Sequence, residues 1–105
     1  MPPDPRTRFV GAALPTNARA YKHTPTFTNK SVPQALTREH ATKAGVWAVV
    51  EVTSGQLRYC EPEYGIDAVL DETIVAVAGP EMVHRVTPIG EVAFFVTFWR
   101  VADDD

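Results

Sequence analysis

The sequence has little cysteine, no long apolar run and no cluster of basic residues. Its one cysteine, Cys60, cannot form an internal disulfide, which suits a reducing compartment. The first residues show no apolar run like that of a signal peptide, and we therefore expect a cytoplasmic protein. The apolar stretches are far shorter than the roughly 20 residues that cross a bilayer, and no basic stripe is present for nucleic acid. Neither a membrane nor a nucleic acid is expected as a partner.

Length and composition indicate one folded domain. The chain has 105 residues, of which 45% are hydrophobic, and a net charge of −3. This is the usual scale of a single globular domain. We expect an N-terminal arm at 1–18, the domain at 19–101 and an acidic tail at 102–105. Phe9, Val10 and Leu14 in the arm offer apolar surface for a second copy, so a homodimer is expected.

The apolar pattern is that of short strands. Runs rich in β-branched and aromatic residues alternate with turn residues. No stretch keeps a helical period over ten residues, and Pro33 argues against a long helix. The pattern predicts an antiparallel sandwich or small barrel with helix limited to a turn or two. The predicted strands from Gly45 onward are 46–52, 57–60, 66–70, 73–78, 85–89 and 92–100, with turns that include 53–56, 61–65 and 90–91.

Two histidines lie next to predicted strands. Gly79 and Pro80 end one strand in a tight turn, and Glu81 and His84 follow directly. His40 precedes the strand 46–52. A histidine at the mouth of each of two strands is one way in which a small β-barrel builds a metal or ligand site. A lone histidine at a strand end is nevertheless more often a surface residue.

Three segments resemble the TehB/YeaR-like family of small cupin-type domains, which is named for a tellurite-resistance protein. They are residues 21–27, 38–47 and 80–84. The second is the most specific, because a histidine, a Thr-Lys pair and a Gly-Val-aromatic run follow one another there. The resemblance implies an all-β fold, a cupin-type double-stranded β-helix or jelly-roll barrel, in a single domain. The resemblance therefore says more about the fold than about any reaction.

The same resemblance implies a divalent metal ion as a cofactor. The residues at the expected ligand positions, however, depart from the general cupin pattern. The first cupin motif usually has two histidines and a glutamate; here His40 stands alone, with Thr42 and Ala48 at or near the other places. In the second motif Glu81 replaces a glycine three residues before His84. The implied metal ligands are therefore His40, His84 and Glu81. Two imidazoles and a carboxylate suit Zn, Fe, Mn or Ni and leave positions open for water or substrate.

Two further residues are candidates for ligand binding. Lys43, on the loop after His40, could contact an anionic ligand as a point charge, and His23 could lie at the site. A solvated loop lysine and an exposed strand histidine are the simpler interpretations. The aromatic residues and Cys60 are expected in the core.

Three function classes stay open at this point. The first is a metal-binding cupin domain, linked to oxyanion (tellurite-type) or stress tolerance, that binds a small molecule or oxyanion at the barrel mouth. The second is a metal-dependent small-molecule enzyme of dioxygenase, isomerase or hydrolase type. The third is a structural dimerisation domain without a metal. A metal assay separates the third class from the others, and turnover separates the first from the second.

Overall fold

Strands make up most of residues 8–101, the part of the chain that the computed structural model describes. The expected all-β fold is confirmed, and helix in this part is limited to one α turn and one 3-10 turn. No helix in the same residues is long and apolar enough to cross a membrane. The elements in chain order are β1 (Arg8–Gly11), β2 (Ala18–His23), β3 (Phe27–Thr28), α1 (Gln34–Thr37), β4 (His40–Ala41), β5 (Val46–Glu61), the 3-10 turn (Pro62–Tyr64), β6 (Ile66–Leu70), β7 (Ile74–Ala78) and β8 (Val83–Val101).

The strands form one curled sheet with the order β1-β7-β5-β8-β2, and the short strands extend it at its sides. β3 and β4 pair with β8, and β6 pairs with β5. β1 runs parallel to β7, whereas the other pairings are antiparallel. The result is the barrel-like arrangement that the alternating apolar pattern predicted.

β5 and β8 are each one long strand, and this corrects two of the predicted turns. The two strands pair from Val46 opposite Arg100 to Cys60 opposite Arg85. The turns predicted at 53–56 and 90–91 are instead irregularities inside this pairing, where the register shifts. Gly55 and Gly90 have φ of +76° and +63°. A positive-φ glycine marks a bulge as well as a turn, so the local sequence did not distinguish the two.

The bends fold the sheet over, so that both halves of β5 and β8 contribute to one core. Ala48 and Val50 precede the bend of β5, while Leu57 and Tyr59 follow it, and all four pack in the same buried cluster. The register irregularities therefore explain how a single sheet encloses an interior.

A second, smaller cluster covers the outer face of the sheet. Val49, Val77 and Trp99 are buried there, and Ala12 and Leu14 pack against them. Apolar residues on both faces of β5 are thus explained by an inner core and an outer cover.

Where the structure describes the predicted arm, it places 8–11 in the sheet as β1. The acidic tail lies outside the described residues, and the homodimer stays a prediction.

Gly55 and Gly90 provide a test of the bend. A Cβ on Gly55 would lie 2.2 Å from the carbonyl oxygen of Glu91, whereas nothing lies within 4 Å of one on Gly90. Both positions have positive φ, so each alanine should cost about 1 kcal/mol for backbone strain. We expect Gly55→Ala to lower the free energy of unfolding by a further ~1–3 kcal/mol, because the clash must be relieved. Urea denaturation of both variants measures this difference. Equal losses would contradict this role of Gly55.

Candidate functional site

A cavity of about 260 Å³ lies inside the curled sheet. Its wall combines residues from β5 before the bend, from both ends of β8, and from β2 and the β4 region. Most of the wall is apolar, and the polar residues belong mainly to β2, to the β4 region and to the start of β8. The lining residues are Tyr21, Lys22, Thr24, Leu36, His40, Ala41, Thr42, Lys43, Val46, Ala48, Val50, His84, Val86, Phe94, Val96 and Phe98.

The structure brings His40 and His84 together in this wall. β4 pairs with the beginning of β8, with His40 directly opposite His84. The two ring centroids are 4.1 Å apart and the ring planes are inclined by 58°. A cross-strand pair places residues that are distant in the sequence within contact distance.

Thr42 holds the turn that precedes His84. Its hydroxyl donates to the carbonyl oxygen of Gly79. Its own carbonyl oxygen accepts a hydrogen bond of 3.0 Å from the backbone N–H of Glu81. Thr42 is buried, so both bonds are protected from water. The residue that stands where cupins usually have a second histidine therefore ties β4 to the turn at 79–82.

Backbone carbonyls fix the orientation of both imidazole rings. Nδ1 of His40 lies 2.9 Å from the carbonyl oxygen of Arg38, and Nδ1 of His84 lies 2.9 Å from that of Met82. A carbonyl oxygen only accepts hydrogen bonds, so Nδ1 carries the proton in each ring. The free nitrogen is therefore Nε2, which is an acceptor in the neutral imidazole.

His84 is only 3% exposed, and this determines its charge. Burial lowers the pKa of His84 from 6.5 to about 4, against the opposing effect of the hydrogen bond to Met82, and the nearby His40 lowers it further. Desolvation penalises the charged form of a buried histidine. His84 therefore presents a neutral ring to the cavity at neutral pH.

Glu81 does not complete a three-ligand set with the two histidines. Its side chain is exposed, and its backbone φ is 60°. Across residues 8–101, no three His, Cys, Asp or Glu side chains lie close enough together to hold a metal ion. The tautomers of the two histidines leave Nε2 of each ring free to coordinate a metal, and metal binding stays a prediction.

Lys43 lines the cavity, and His23 does not. Nδ1 of His23 instead lies 2.8 Å from the carbonyl oxygen of Thr24, and its ring stands edge-on to Phe95. Its neighbour Lys22 lines the cavity with its ammonium group 5.2 Å from the centre of the Phe98 ring. The sequence did not single out Lys22, because an exposed strand lysine has no distinguishing pattern.

A buried Tyr–Glu pair next to His84 was also not foreseen. The hydroxyl of Tyr59 donates to Oε1 of Glu61, and the Tyr59 ring centre lies 5.8 Å from that of His84. Glu61 is fully buried, and Oε2 has no hydrogen-bond partner among the residues that the structure describes. Burial raises the pKa of Glu61 and that of Tyr59. The alternation of inward residues Leu57 and Tyr59 continues to Glu61, at the start of the predicted turn. Following this alternation would have placed the Glu61 side chain inside the sheet.

Comparison with known sequences assigns the family. The sequence profile of the TehB-like domain matches residues 22–96, which include both histidines and nearly all of the cavity wall. The chain belongs to the TehB-like domain family. Among curated proteins, none matches the sequence of this chain significantly.

Solved structures agree with this TehB-like assignment at the level of the fold. TehB from Haemophilus influenzae is 24% identical with a TM-score of 0.75, over 82% of this chain and 32% of that one. The TehB-like chain thus spans about a third of that protein. A protein from E. coli strain K12 is 20% identical with a TM-score of 0.77, over 88% of this chain and 99% of that one. At these identities the likeness shows the fold alone.

The depressed pKa of His84 predicts a loss of stability in acid. The unfolded chain takes up a proton on this residue as the pH falls through 6.5, whereas the folded protein does so only near 4. The unfolded state therefore binds more protons in this window, and stability should fall by roughly 3 kcal/mol from pH 7 to pH 4 through this group. Urea denaturation at both pH values should show a smaller acid loss in His84→Gln. The control His23→Gln changes an exposed histidine outside the cavity and should behave like wild type. An equal acid loss in His84→Gln and wild type would refute the assignment.

Proposed function

We propose that this TehB-like domain binds a small organic anion in the cavity inside its curled sheet. The observation that carries the proposal is the composition of the wall. Apolar side chains cover most of it, and its ionisable groups are two lysines, two histidines and a tyrosine, without a carboxylate among them. Ligand sites typically combine an apolar wall with a few placed polar groups.

The two lysines of the wall are available to an anion. In the described part of the chain, the salt bridges are Arg58–Asp67 and Arg85–Glu39. Neither Lys22 nor Lys43 therefore has a carboxylate partner there, and both are exposed. A lysine ammonium at the edge of an apolar cavity attracts a negatively charged group.

The size and polarity of the cavity favour an organic ligand over a bare oxyanion. About 260 Å³ is slightly below the ~300–1,000 Å³ of sites for drug-sized molecules, so a compact metabolite fits. An inorganic oxyanion would leave the walls formed by Val50, Phe94 and Val96 without a contact. The family name suggests a link to tellurite or stress tolerance, so the same lysines are also a candidate site for tellurite. Inorganic tellurite therefore serves as a competitor in the test.

Metal binding is a second candidate function, supported by the facing imidazoles of His40 and His84. Catalytic zinc sites usually have three protein ligands, and this pair supplies two. We therefore propose that Zn, Fe, Mn or Ni binds here weakly, without being a resident cofactor. Metal-dependent catalysis stays open as an alternative, with no step assigned to it.

Binding of benzoate, a simple organic anion, tests the first proposal. We expect methyl resonances of Val50, Val86 and Val96 in the cavity to shift on titration, while those of Val49 and Val77 on the outer face stay unchanged. Ala48→Leu fills the cavity from a buried position and should weaken binding at least about tenfold, since the ligand loses contact area. Ala41→Leu narrows the cavity from an exposed position if the first variant folds poorly.

The control for these variants is Ala20→Leu, an exposed position on β2 outside the cavity wall. It should bind benzoate like wild type. Shifts confined to the outer face, or equal binding by the cavity-filling variants and wild type, would contradict the proposal. Displacement of benzoate by tellurite at similar concentration would instead favour the oxyanion.

Zinc titration calorimetry tests the second candidate. Weak binding should be lost in His40→Ala and in His84→Ala, because one imidazole remains in each. Glu81→Gln should leave it unchanged, since Glu81 is exposed and outside the pair. Tight zinc binding that Glu81→Gln removes would show that Glu81 is a direct ligand, contrary to this geometry.

A further inference from the structure

We propose that the ligand of this cavity carries a hydroxyl group at the end opposite its anionic group, and that His40 and His84 select it. The inference rests on the proposed binding of an organic anion and names its chemical class, a small hydroxy acid with an apolar body. The juxtaposition that carries it is a pair of imidazole acceptors in the wall of a mostly apolar cavity that also has two exposed lysines.

The imidazole pair offers acceptors rather than donors. The protons of both rings lie on Nδ1 and point to the carbonyl oxygens of Arg38 and Met82. Each Nε2 has no hydrogen-bond partner among residues 8–101, and both rings line the cavity. A neutral Nε2 accepts a hydrogen bond. A carboxylate, which only accepts, has nothing to gain from these two atoms, whereas a hydroxyl can donate to one of them.

The hydroxyls of the threonines in the wall already have partners. The hydroxyl of Thr42 donates to the carbonyl oxygen of Gly79. The hydroxyl of Thr24 donates to the carbonyl oxygen of Pro25 and accepts from the backbone N–H of Val96. Their donor protons are therefore in use. The Nε2 atoms, by contrast, have no hydrogen-bond partner at all among the described residues, so a donor group of the ligand can bind there.

Burial orients the ligand. His84 is 3% exposed, whereas Lys22 and Lys43 are exposed, so the lysines lie on the solvent side of the wall and His84 on its buried side. Most of the remaining wall is apolar, and the Lys22 ammonium lies beside the ring of Phe98. A ligand that satisfies these groups has its hydroxyl at the imidazoles, its apolar body against the apolar wall and its anionic group at the exposed lysines.

Selectivity follows from leaving buried acceptors without a partner. A ligand that fills the cavity excludes water from the Nε2 atoms, and one without a donor then leaves them unsatisfied. Sites with buried polar groups discriminate strongly against analogues that lack the matching group. The histidine pair should therefore distinguish ligands that differ in a single hydroxyl.

A matched set of aromatic ligands tests the inference, with excess EDTA present so that no metal mediates binding. The probes are 4-hydroxybenzoate, benzoate, 4-methoxybenzoate and 4-hydroxybenzamide, titrated by calorimetry. We expect 4-hydroxybenzoate to bind at least about tenfold more tightly than benzoate or the methoxy analogue. The uncharged amide should bind several-fold more weakly than 4-hydroxybenzoate.

Variants assign the two ends of the ligand. His84→Phe replaces the imidazole with a somewhat larger ring that has no acceptor, so the preference for 4-hydroxybenzoate over benzoate should be reduced or lost. His40→Phe, at a half-buried position, makes the same comparison if His84→Phe does not fold. Lys22→Gln with Lys43→Gln should weaken both acids equally and leave the amide unchanged.

The outcomes separate this inference from the proposed function. Equal binding of benzoate and 4-hydroxybenzoate by wild type would overturn the hydroxyl selectivity and leave organic-anion binding intact. A preference that appears only when zinc replaces EDTA would also overturn it, because the metal would then be the selecting group. Failure of all four probes to bind would overturn both.

Discussion

The pairing of β5 with β8 is the interaction on which the rest of this structure depends. It runs from Val46 opposite Arg100 to Cys60 opposite Arg85 and is interrupted at the bends near Gly55 and Gly90. A straight pair of this length would present two open faces. The bends turn one part of the ladder over the other, so that inward side chains from both parts enclose a space. The cavity is therefore a product of irregular register.

The predictability of each feature follows from how local its cause is. Alternating apolar residues and turn residues identify a β protein, and this was visible in the sequence. The sequence did not show that Gly55 lies inside a continuous strand. Continuation of β5 through Gly55 depends on pairing with β8, which begins far along the chain. The polar run 61–65 by itself predicts a turn that starts at Glu61, although the inward alternation of Leu57 and Tyr59 continues to Glu61. Register, which tertiary pairing determines, is what the sequence left undecided.

The site combines groups whose properties derive from backbone contacts. Carbonyl oxygens of Arg38 and Met82 fix the rings of His40 and His84, and burial keeps His84 uncharged. An apolar interior would ordinarily penalise such polar atoms. In the proposed function this penalty is the means of recognition, because a ligand with a hydroxyl group relieves it. Thr42, which also lines the cavity, supports this arrangement through its hydrogen bonds to the turn at 79–82.

The central position of β8 also affects how the protein folds during synthesis. β8 pairs with β2, β3, β4 and β5, so residues 83–101 are needed before any of these strands has its full set of neighbours. Such distant pairings fold slowly, on the order of milliseconds to seconds. A nascent chain that has emerged only as far as β7 would hold its apolar strands without their main partner. Until β8 leaves the ribosome, these strands are exposed to aggregation and to chaperones.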